Sequence, residues 1–187
     1  MYTKQKEERS MKKEGEGAAK RLRQYAGIAA AVLIYYLVHE GAHLAYALYA
    51  GAFKEVLVLG PGMQVDIYAD RMSSTRLGLF CLAGPAATQV CGWCLTAAAK
   101  RICLSKSRLF RACSYYVTMA MLLLDPLYMS LLCGFFGGGD MNGVRLLMPE
   151  GAARALFGGL LIAGGAAFMR RILPVYTSSF RKENEAP

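Results

Sequence analysis

The sequence lacks the residue patterns of soluble metal-binding and nucleic-acid-binding proteins. Its six cysteines include one C-x-x-C pair, Cys91 and Cys94, but no second pair completes a zinc or redox site. Most of the cysteines lie in apolar runs, where cysteine packs as a small hydrophobic side chain. Lys and Arg are not interleaved with aromatic residues on a polar surface, so the net charge of +9 does not predict nucleic-acid binding.

Polar stretches are also scarce after residue 23. The composition is 55% hydrophobic with a mean hydropathy of +0.29, and the apolar residues lie in long blocks, which indicates an integral membrane protein. The first block is too long for the apolar core of a signal peptide and has no clear small-residue cleavage site. Basic residues between and beside the blocks fit contact with an anionic lipid bilayer.

The apolar blocks predict an all-α polytopic membrane protein with about four transmembrane helices and a small β-hairpin after the first. We expect the helices at residues 24–50, 75–99, 112–136 and 151–169. Two β-rich runs flank Gly60-Pro61-Gly62 and predict the hairpin over 53–68. The hairpin is either a solvated connector or an edge strand that holds an extended peptide.

Lys and Arg are distributed unevenly among the segments outside these helices. Residues 1–23, 100–111 and 170–187 carry 8, 5 and 4 of them, whereas residues 51–76 and 137–150 carry 3 and 1. The positive-inside rule therefore predicts both termini in the cytoplasm, and we expect a cell-membrane protein.

The same segments predict the domain organisation. We expect a basic cytoplasmic tail at 1–23, disordered or loosely helical, and a second cytoplasmic tail at 174–187. Residues 24–173 then form a single membrane-embedded domain. Glycine pairs in the fourth helix fit packing against a neighbouring chain or against the first helix, so the sequence predicts no oligomeric state.

The first apolar block contains the motif His39-Glu40-Gly41-Ala42-His43. Residues four apart share one face of an α-helix, so the two imidazoles can bind one metal ion together. Glu40 can then reach a water on that metal and act as a general base. A charge in such an apolar segment costs roughly 2.5–3.5 kcal/mol on insertion scales, so ionisable groups here are functional by default. The alternative is a helix that carries the motif without a metal.

A catalytic zinc ion usually takes three protein ligands, so the two histidines need a third. Asp140 is the best candidate, because it lies at the membrane end where the histidines are expected and its glycine neighbours let the backbone approach closely. Otherwise Asp140 caps a turn or a helix. Asp125, inside an apolar run, is the alternative ligand; it can instead orient a ligand histidine or bond a backbone group freed by Pro126.

The order of these motifs resembles the site-2 protease family of intramembrane zinc metalloproteases. H-E-x-x-H lies in one membrane helix, Ala83-Gly84-Pro85 in the next, and a glycine-flanked aspartate about a hundred residues after the histidines, all within residues 30–150. The resemblance implies a minimal core with no PDZ domain. It implies one Zn²⁺ per chain held by His39, His43 and Asp140, with Glu40 as the catalytic base.

The resemblance also implies a site for substrate. Gly84, Pro85 and Asn142 would help to position the substrate, and the hairpin at 53–68 would present it. The chain departs from the family at Thr88, where asparagine is common, and at Met141, which follows the aspartate in place of the usual glycine.

These features predict a zinc metalloendopeptidase that hydrolyses a peptide bond in or near a transmembrane segment of a membrane-anchored protein or peptide. Two alternatives stay open: a catalytically inactive membrane protein that binds a partner helix, and a metal-handling membrane protein. The intact Glu40 argues against an inactive relative, and the few polar residues in the second and fourth helices argue against a transport path.

Overall fold

The computed structural model describes residues 2–59 and 62–184. Within them the chain forms seven α-helices and one two-stranded sheet. In chain order these are α1 (Tyr2–Tyr49), β1 (Phe53–Leu59), β2 (Gly62–Ile67), α2 (Ser74–Ile102), α3 (Arg108–Leu127), α4 (Cys133–Phe136), α5 (Gly139–Val144), α6 (Glu150–Ala167) and α7 (Leu173–Asn184). A 3₁₀ turn at Ala69–Arg71 precedes α2, and π-helical turns at Tyr128–Leu132 and Phe168–Ile172 join α3 to α4 and α6 to α7.

Four helical segments of the described chain are long and apolar enough to cross a membrane: Gly17–Tyr49, Ser74–Ile102, Arg108–Phe136 and Glu150–Arg181. With the hairpin after the first segment, they confirm the predicted all-α polytopic membrane fold. Each segment is longer than predicted, because basic residues continue the helices at their ends. Lys100 and Arg101, for example, form part of the last turn of α2, where their positive charges interact favourably with the negative end of the helix dipole.

The described parts of both polar terminal segments are helical. α1 begins at Tyr2, so the segment expected as an N-terminal tail belongs to the same helix as the first apolar block. α7 runs to Asn184 and covers most of the segment expected as a tail. Pro174 lies directly after the π-helical turn Phe168–Ile172, where the regular i→i−4 hydrogen-bond pattern is interrupted and a residue without a backbone N–H is tolerated.

The hairpin packs under the end of α1. Gly51 has a φ of +67° and ends α1. β1 and β2 then pair in antiparallel register with Val56 opposite Val65. Val65 is buried in a cluster with Ala47 of α1 and Phe80 of α2, which fixes the hairpin to both helices. The predicted turn at Gly60 and Pro61 lies outside the described residues.

Helix α3 lies against α1, α2 and α6, and its contact with α2 includes an unusual hydrogen bond. Pro126 has no N–H, so the helix cannot supply the usual donor for the carbonyl of Leu122. The side-chain amide of Gln89 in α2 donates to that carbonyl at 3.2 Å and to the Met121 carbonyl at 3.0 Å. A backbone group freed by proline is therefore satisfied by the neighbouring helix, as membrane interiors require.

The segment that carries Asp140 is partly a helix. Gly137 and Gly139 have φ values of +88° and +41°, which let the chain reverse after α4. α5 begins at Gly139 and holds Asp140 in its first turn. Met141 and Val144 are buried in the apolar cluster beside α6 and fix the segment as a helix.

Candidate metal centre

The two histidines of the H-E-x-x-H motif lie on one face of α1 and point into the protein. His39 and His43 are 8% and 4% exposed. Their Nε2 atoms lie 3.2 Å apart. The 3.6-residue period of the helix produces this arrangement, since side chains at positions i and i+4 lie above one another.

Asp140 completes a three-residue group with these histidines. Its Oδ2 lies 3.1 Å from Nε2 of His39, and its Oδ1 lies 3.5 Å from Nε2 of His43. Ligand atoms of the three residues all lie within 4.8 Å of one another. The structure thus brings together the three residues that the sequence analysis proposed as ligands, although Asp140 is 101 residues from His39.

The other nitrogen of each imidazole has an acceptor of its own. Nδ1 of His43 lies 2.8 Å from the carbonyl oxygen of Phe80, which can only accept, so this nitrogen carries the proton. Nδ1 of His39 lies 3.3 Å from Asp125, whose two oxygens accept hydrogen bonds from Tyr35 and Thr88. A carboxylate with these donors is an acceptor for His39 as well, so His39 donates through Nδ1.

This assignment leaves three acceptors facing one point. The Nε2 lone pairs of His39 and His43 and the carboxylate of Asp140 converge without a donor among the described side chains. A cation among them would offset the repulsion. In a tetrahedral zinc site with bonds of about 2.0–2.1 Å, neighbouring ligand atoms are ~3.3 Å apart. The observed spacings of 3.1, 3.2 and 3.5 Å fit this value.

Asp125 occupies the position of a residue that orients a ligand. It is 3% exposed and faces Nδ1 of His39, on the side of the ring away from the cluster. Of the roles considered for Asp125, the geometry fits the one in which it fixes the tautomer and plane of His39. It does not fit the role of third ligand, since its carboxylate lies behind the imidazole rather than beside Nε2.

Two partners of Asp125 extend this arrangement. Tyr35 donates to Asp125 Oδ1 at 2.5 Å, and the hydroxyl of Thr88 donates to Oδ2. Thr88 also lies 2.9 Å from the carbonyl of Pro85. The sequence analysis missed Tyr35, although its position four residues before His39 places it on the same helix face. It noted Thr88 only as a departure from the family.

Gly84 lies directly against the two imidazoles. A Cβ at this position would come within 2.5 Å of Nε2 of His43 and 2.8 Å of Nε2 of His39. Only a residue without a side chain leaves room for both rings here. Pro85 beside it is fully buried in α2. The Ala-Gly-Pro segment therefore has a steric role at the candidate metal centre.

The charge of Asp140 suits a metal ligand. A cation among the three groups would keep the Asp140 carboxyl ionised at neutral pH, since a nearby positive charge favours the carboxylate form. Its side chain remains 22% exposed, so the cluster is not sealed from outside.

Glu40 and Asn142 lie outside the three-residue group. The carboxylate of Glu40 is half-buried and accepts a hydrogen bond from the Val65 N–H of β2 at 3.2 Å. Asn142 is exposed, and its side chain lies over Gly138 rather than on the histidines. The structure thus connects the predicted base to the hairpin and leaves Asn142, two residues after Asp140, outside the cluster.

Comparison with models of protein families, with curated proteins and with solved structures gives no match to this chain. Function is therefore argued from the site itself.

Proposed function

We propose that the protein is an intramembrane zinc metalloprotease that cleaves a peptide bond in or near a transmembrane segment of a membrane-anchored substrate. One observation carries the proposal: three acceptors from His39, His43 and Asp140 converge at the spacing of zinc ligands, while each imidazole is oriented through its other nitrogen. The order of H-E-x-x-H, Ala-Gly-Pro and aspartate, which resembles the site-2 protease family, supports the same function.

Different residues of the chain have different roles in the proposed reaction. Zinc bound by His39, His43 and Asp140 would supply a Lewis acid and make water acidic enough to ionise near neutral pH. Glu40 follows the first ligand in α1, and its carboxylate takes a proton from the attacking water. The same carboxyl group then passes this proton to the leaving amine of the substrate.

The hairpin supports presentation of an extended substrate. The N–H of Val65 donates to Glu40, so this backbone group is not used in pairing with β1. The outer edge of β2 is therefore the edge next to the base. A transmembrane helix hides its carbonyls in i→i−4 hydrogen bonds and must unwind before cleavage. An unwound segment that paired with β2 would take the Val65 N–H and release Glu40 for proton transfer.

The proposal extends to orientation. A cell membrane with both termini in the cytoplasm agrees with the higher Lys and Arg content of the terminal segments and of the 100–111 loop. The metal centre lies near the opposite end of α1, roughly 24 Å beyond Arg23 at 1.5 Å per residue.

The test compares wild-type protein with Glu40→Gln and His43→Ala. Each would be purified in detergent, assayed for zinc by mass spectrometry, and incubated with single-span substrates that carry glycine or proline in the span. We expect about one zinc per chain in the wild type and in Glu40→Gln, none in His43→Ala, and cleavage by the wild type alone. Absence of zinc under metal-replete conditions, or equal cleavage by Glu40→Gln, would contradict the proposal.

A further inference from the structure

Asp140 is the one residue of the metal cluster that α1 does not carry. Its carboxylate reaches His39 and His43 from the first turn of α5, directly after the glycine loop 137–139. Two of the three glycines in this loop have positive φ values, and glycine has more backbone freedom than any other residue. Gly138, the residue before α5, has no side chain with which to cap the helix. A contact from outside the loop is therefore needed to hold Asp140 in one direction.

Tyr128 supplies such a contact. Its hydroxyl group donates a hydrogen bond to the carbonyl oxygen of Gly137 at 2.6 Å. The same hydroxyl oxygen would lie 2.8 Å from a Cβ at Gly139, so the phenol group lies directly against the last residue before Asp140. One side chain therefore contacts the glycine loop at both of its ends.

The ring of Tyr128 is itself held in place. It is half-buried and packs against the apolar cluster that includes Met129, Cys133, Met141 and Val144. Met141 and Val144 belong to α5, so this cluster also fixes the buried face of that helix. The hydroxyl group of Tyr128 thus adds a polar contact before Asp140 to the apolar contacts that follow it.

The backbone that carries Tyr128 is also fixed. Tyr128 is the first residue of the π-helical turn Tyr128–Leu132, and such turns are frequent at functional sites. The hydroxyl group of Ser130 donates to the carbonyl of Pro126 at 2.5 Å, and Arg154 of α6 donates to the carbonyl of Ser130 at 3.1 Å. Carbonyl groups two residues before and two residues after Tyr128 are therefore both hydrogen-bonded, which gives its side chain a rigid base.

We propose that Tyr128 is a positioning residue for the metal centre: its hydroxyl group holds the glycine loop so that Asp140 points at the two imidazoles. Tyr128 acts through Asp140 and supplies no ligand atom. The inference rests on the metal centre of the proposed function, but it does not depend on proteolysis. Loss of the hydroxyl group leaves all three ligands present but less well ordered before binding, so zinc should bind more weakly rather than not at all.

The test compares full-length wild-type protein in detergent with Tyr128→Phe and with the control Tyr115→Phe. The control makes the same change at another half-buried tyrosine of the third membrane-spanning segment, roughly 20 Å away along the helix at 1.5 Å per residue. Chelator competition measures zinc affinity. Hydrogen exchange of the metal-free protein measures protection of the amides of residues 138–144.

We expect Tyr128→Phe to weaken zinc binding about 3–10-fold, as for the loss of one hydrogen bond, and to speed exchange of these amides severalfold. The visible absorption of protein saturated with Co²⁺ reports the geometry of the ligands. Its bands should change in Tyr128→Phe, whereas a tyrosine that only stabilised the fold would leave them as they are. Tyr115→Phe should match the wild type in all three measurements.

The outcomes separate this inference from the proposed protease. Unchanged amide exchange in Tyr128→Phe would show that the hydroxyl group does not hold the loop and would overturn the inference, whether or not zinc binds. Faster exchange with unchanged zinc affinity and Co²⁺ absorption would assign the contact to folding alone and overturn it as well. If the wild type bound no zinc, the inference would fall together with the metal centre. Zinc binding without cleavage of any substrate would contradict the protease and leave the role of Tyr128 in place.

Discussion

Ionisable side chains are buried at one end of the membrane bundle and exposed at the other. At the metal end, His39, His43 and Asp125 are buried, and the Nδ1 atom of each histidine faces a specific acceptor at hydrogen-bond distance. At the basic end, Lys20 and Arg181 stay exposed around the basic cavity, an open space between α1, α3 and α7. Burial makes an unpaired polar group costly, so the arrangement at the metal end depends on the distances between specific polar atoms. The arrangement at the basic end depends on the charge of its side chains and on the volume of the cavity.

This difference predicts how each end responds to substitution. A change of one atom at the metal end leaves a buried partner unsatisfied or fills space that the imidazoles need. A change at the basic end leaves the remaining groups in contact with water, where the loss is smaller. The predictions below test this contrast in order of expected effect.

The largest effect is expected when a ligand is removed. His43→Ala and Asp140→Ala should each abolish stoichiometric zinc binding, because two protein ligands cannot hold zinc as three do. Asp66→Ala is the control, since Asp66 is a carboxylate of the hairpin that pairs with Lys54 at 2.7 Å. Zinc content of the purified proteins checks the prediction. Zinc retained in Asp140→Ala would remove Asp140 from the ligand set.

The next largest effect is expected from a steric clash with the imidazoles. Gly84→Ala should lower zinc content severalfold or more, because the added methyl group comes within 2.5 Å of Nε2 of His43. Gly41→Ala is the matched control: Gly41 lies between the two histidines, but a Cβ there meets nothing within 4 Å. Zinc titration of both variants checks the prediction. Equal affinities would mean that α2 moves away without cost.

A smaller effect is expected from the residue that orients His39. Asp125→Asn should reduce zinc affinity about 10–100-fold, because the partners of metal-bound histidines usually contribute this much. It should not abolish binding, since all three ligands remain. Competition with a chelator of known affinity measures the change. Complete loss of zinc would instead make Asp125 a ligand and contradict the geometry of the cluster.

Tyr35→Phe should have a weaker effect than Asp125→Asn. It removes one hydrogen bond to Asp125 and leaves the carboxylate in place, so we expect about a fivefold loss of zinc affinity, which corresponds to ~1 kcal/mol. Tyr49→Phe, at an 87% exposed position of the same helix, is the control. The same chelator competition checks both. An effect of Tyr35→Phe equal to that of Asp125→Asn would show that the hydroxyl group fixes the whole arrangement.

The smallest effect at the metal centre is expected from the far end of α1. Lys20→Gln/Arg23→Gln should leave zinc affinity within about twofold of the wild-type value, because sites this far apart without shared partners act independently. Zinc titration in detergent without added lipid checks this. A large change in zinc affinity would show that the two ends of α1 are coupled and that the metal centre and the basic cavity do not act independently.

The sequence predicted the parts of this protein that depend on local pattern. Apolar blocks predicted the four membrane-spanning segments, and the spacing of His39 and His43 predicted a shared helix face, because both follow from the period and length of helices. The position of Asp140 was anticipated from its glycine neighbours and from the end of the bundle on which it was expected. These inferences needed no knowledge of packing between helices.

Features that depend on packing could not be predicted in the same way. The carbonyl of Phe80 and the N–H of Val65 are backbone groups, and nothing in the residue type shows that they face His43 and Glu40. Thr88 reaches Asp125 only because α2 and α3 cross at that height. The basic cavity is formed by three helices that are distant in sequence, so its residues appear in the sequence as unrelated charges.

The amide of Gln89 has a mechanical consequence. Its two hydrogen bonds to the backbone of α3 oppose sliding of α2 along α3, because such a movement would break both bonds inside the membrane. Helices α2 and α3 are therefore held together as one unit, with Gly84 on α2 and Asp125 on α3. In the proposed protease, a substrate helix from the bilayer would therefore enter past α1, the hairpin or α5 rather than between α2 and α3.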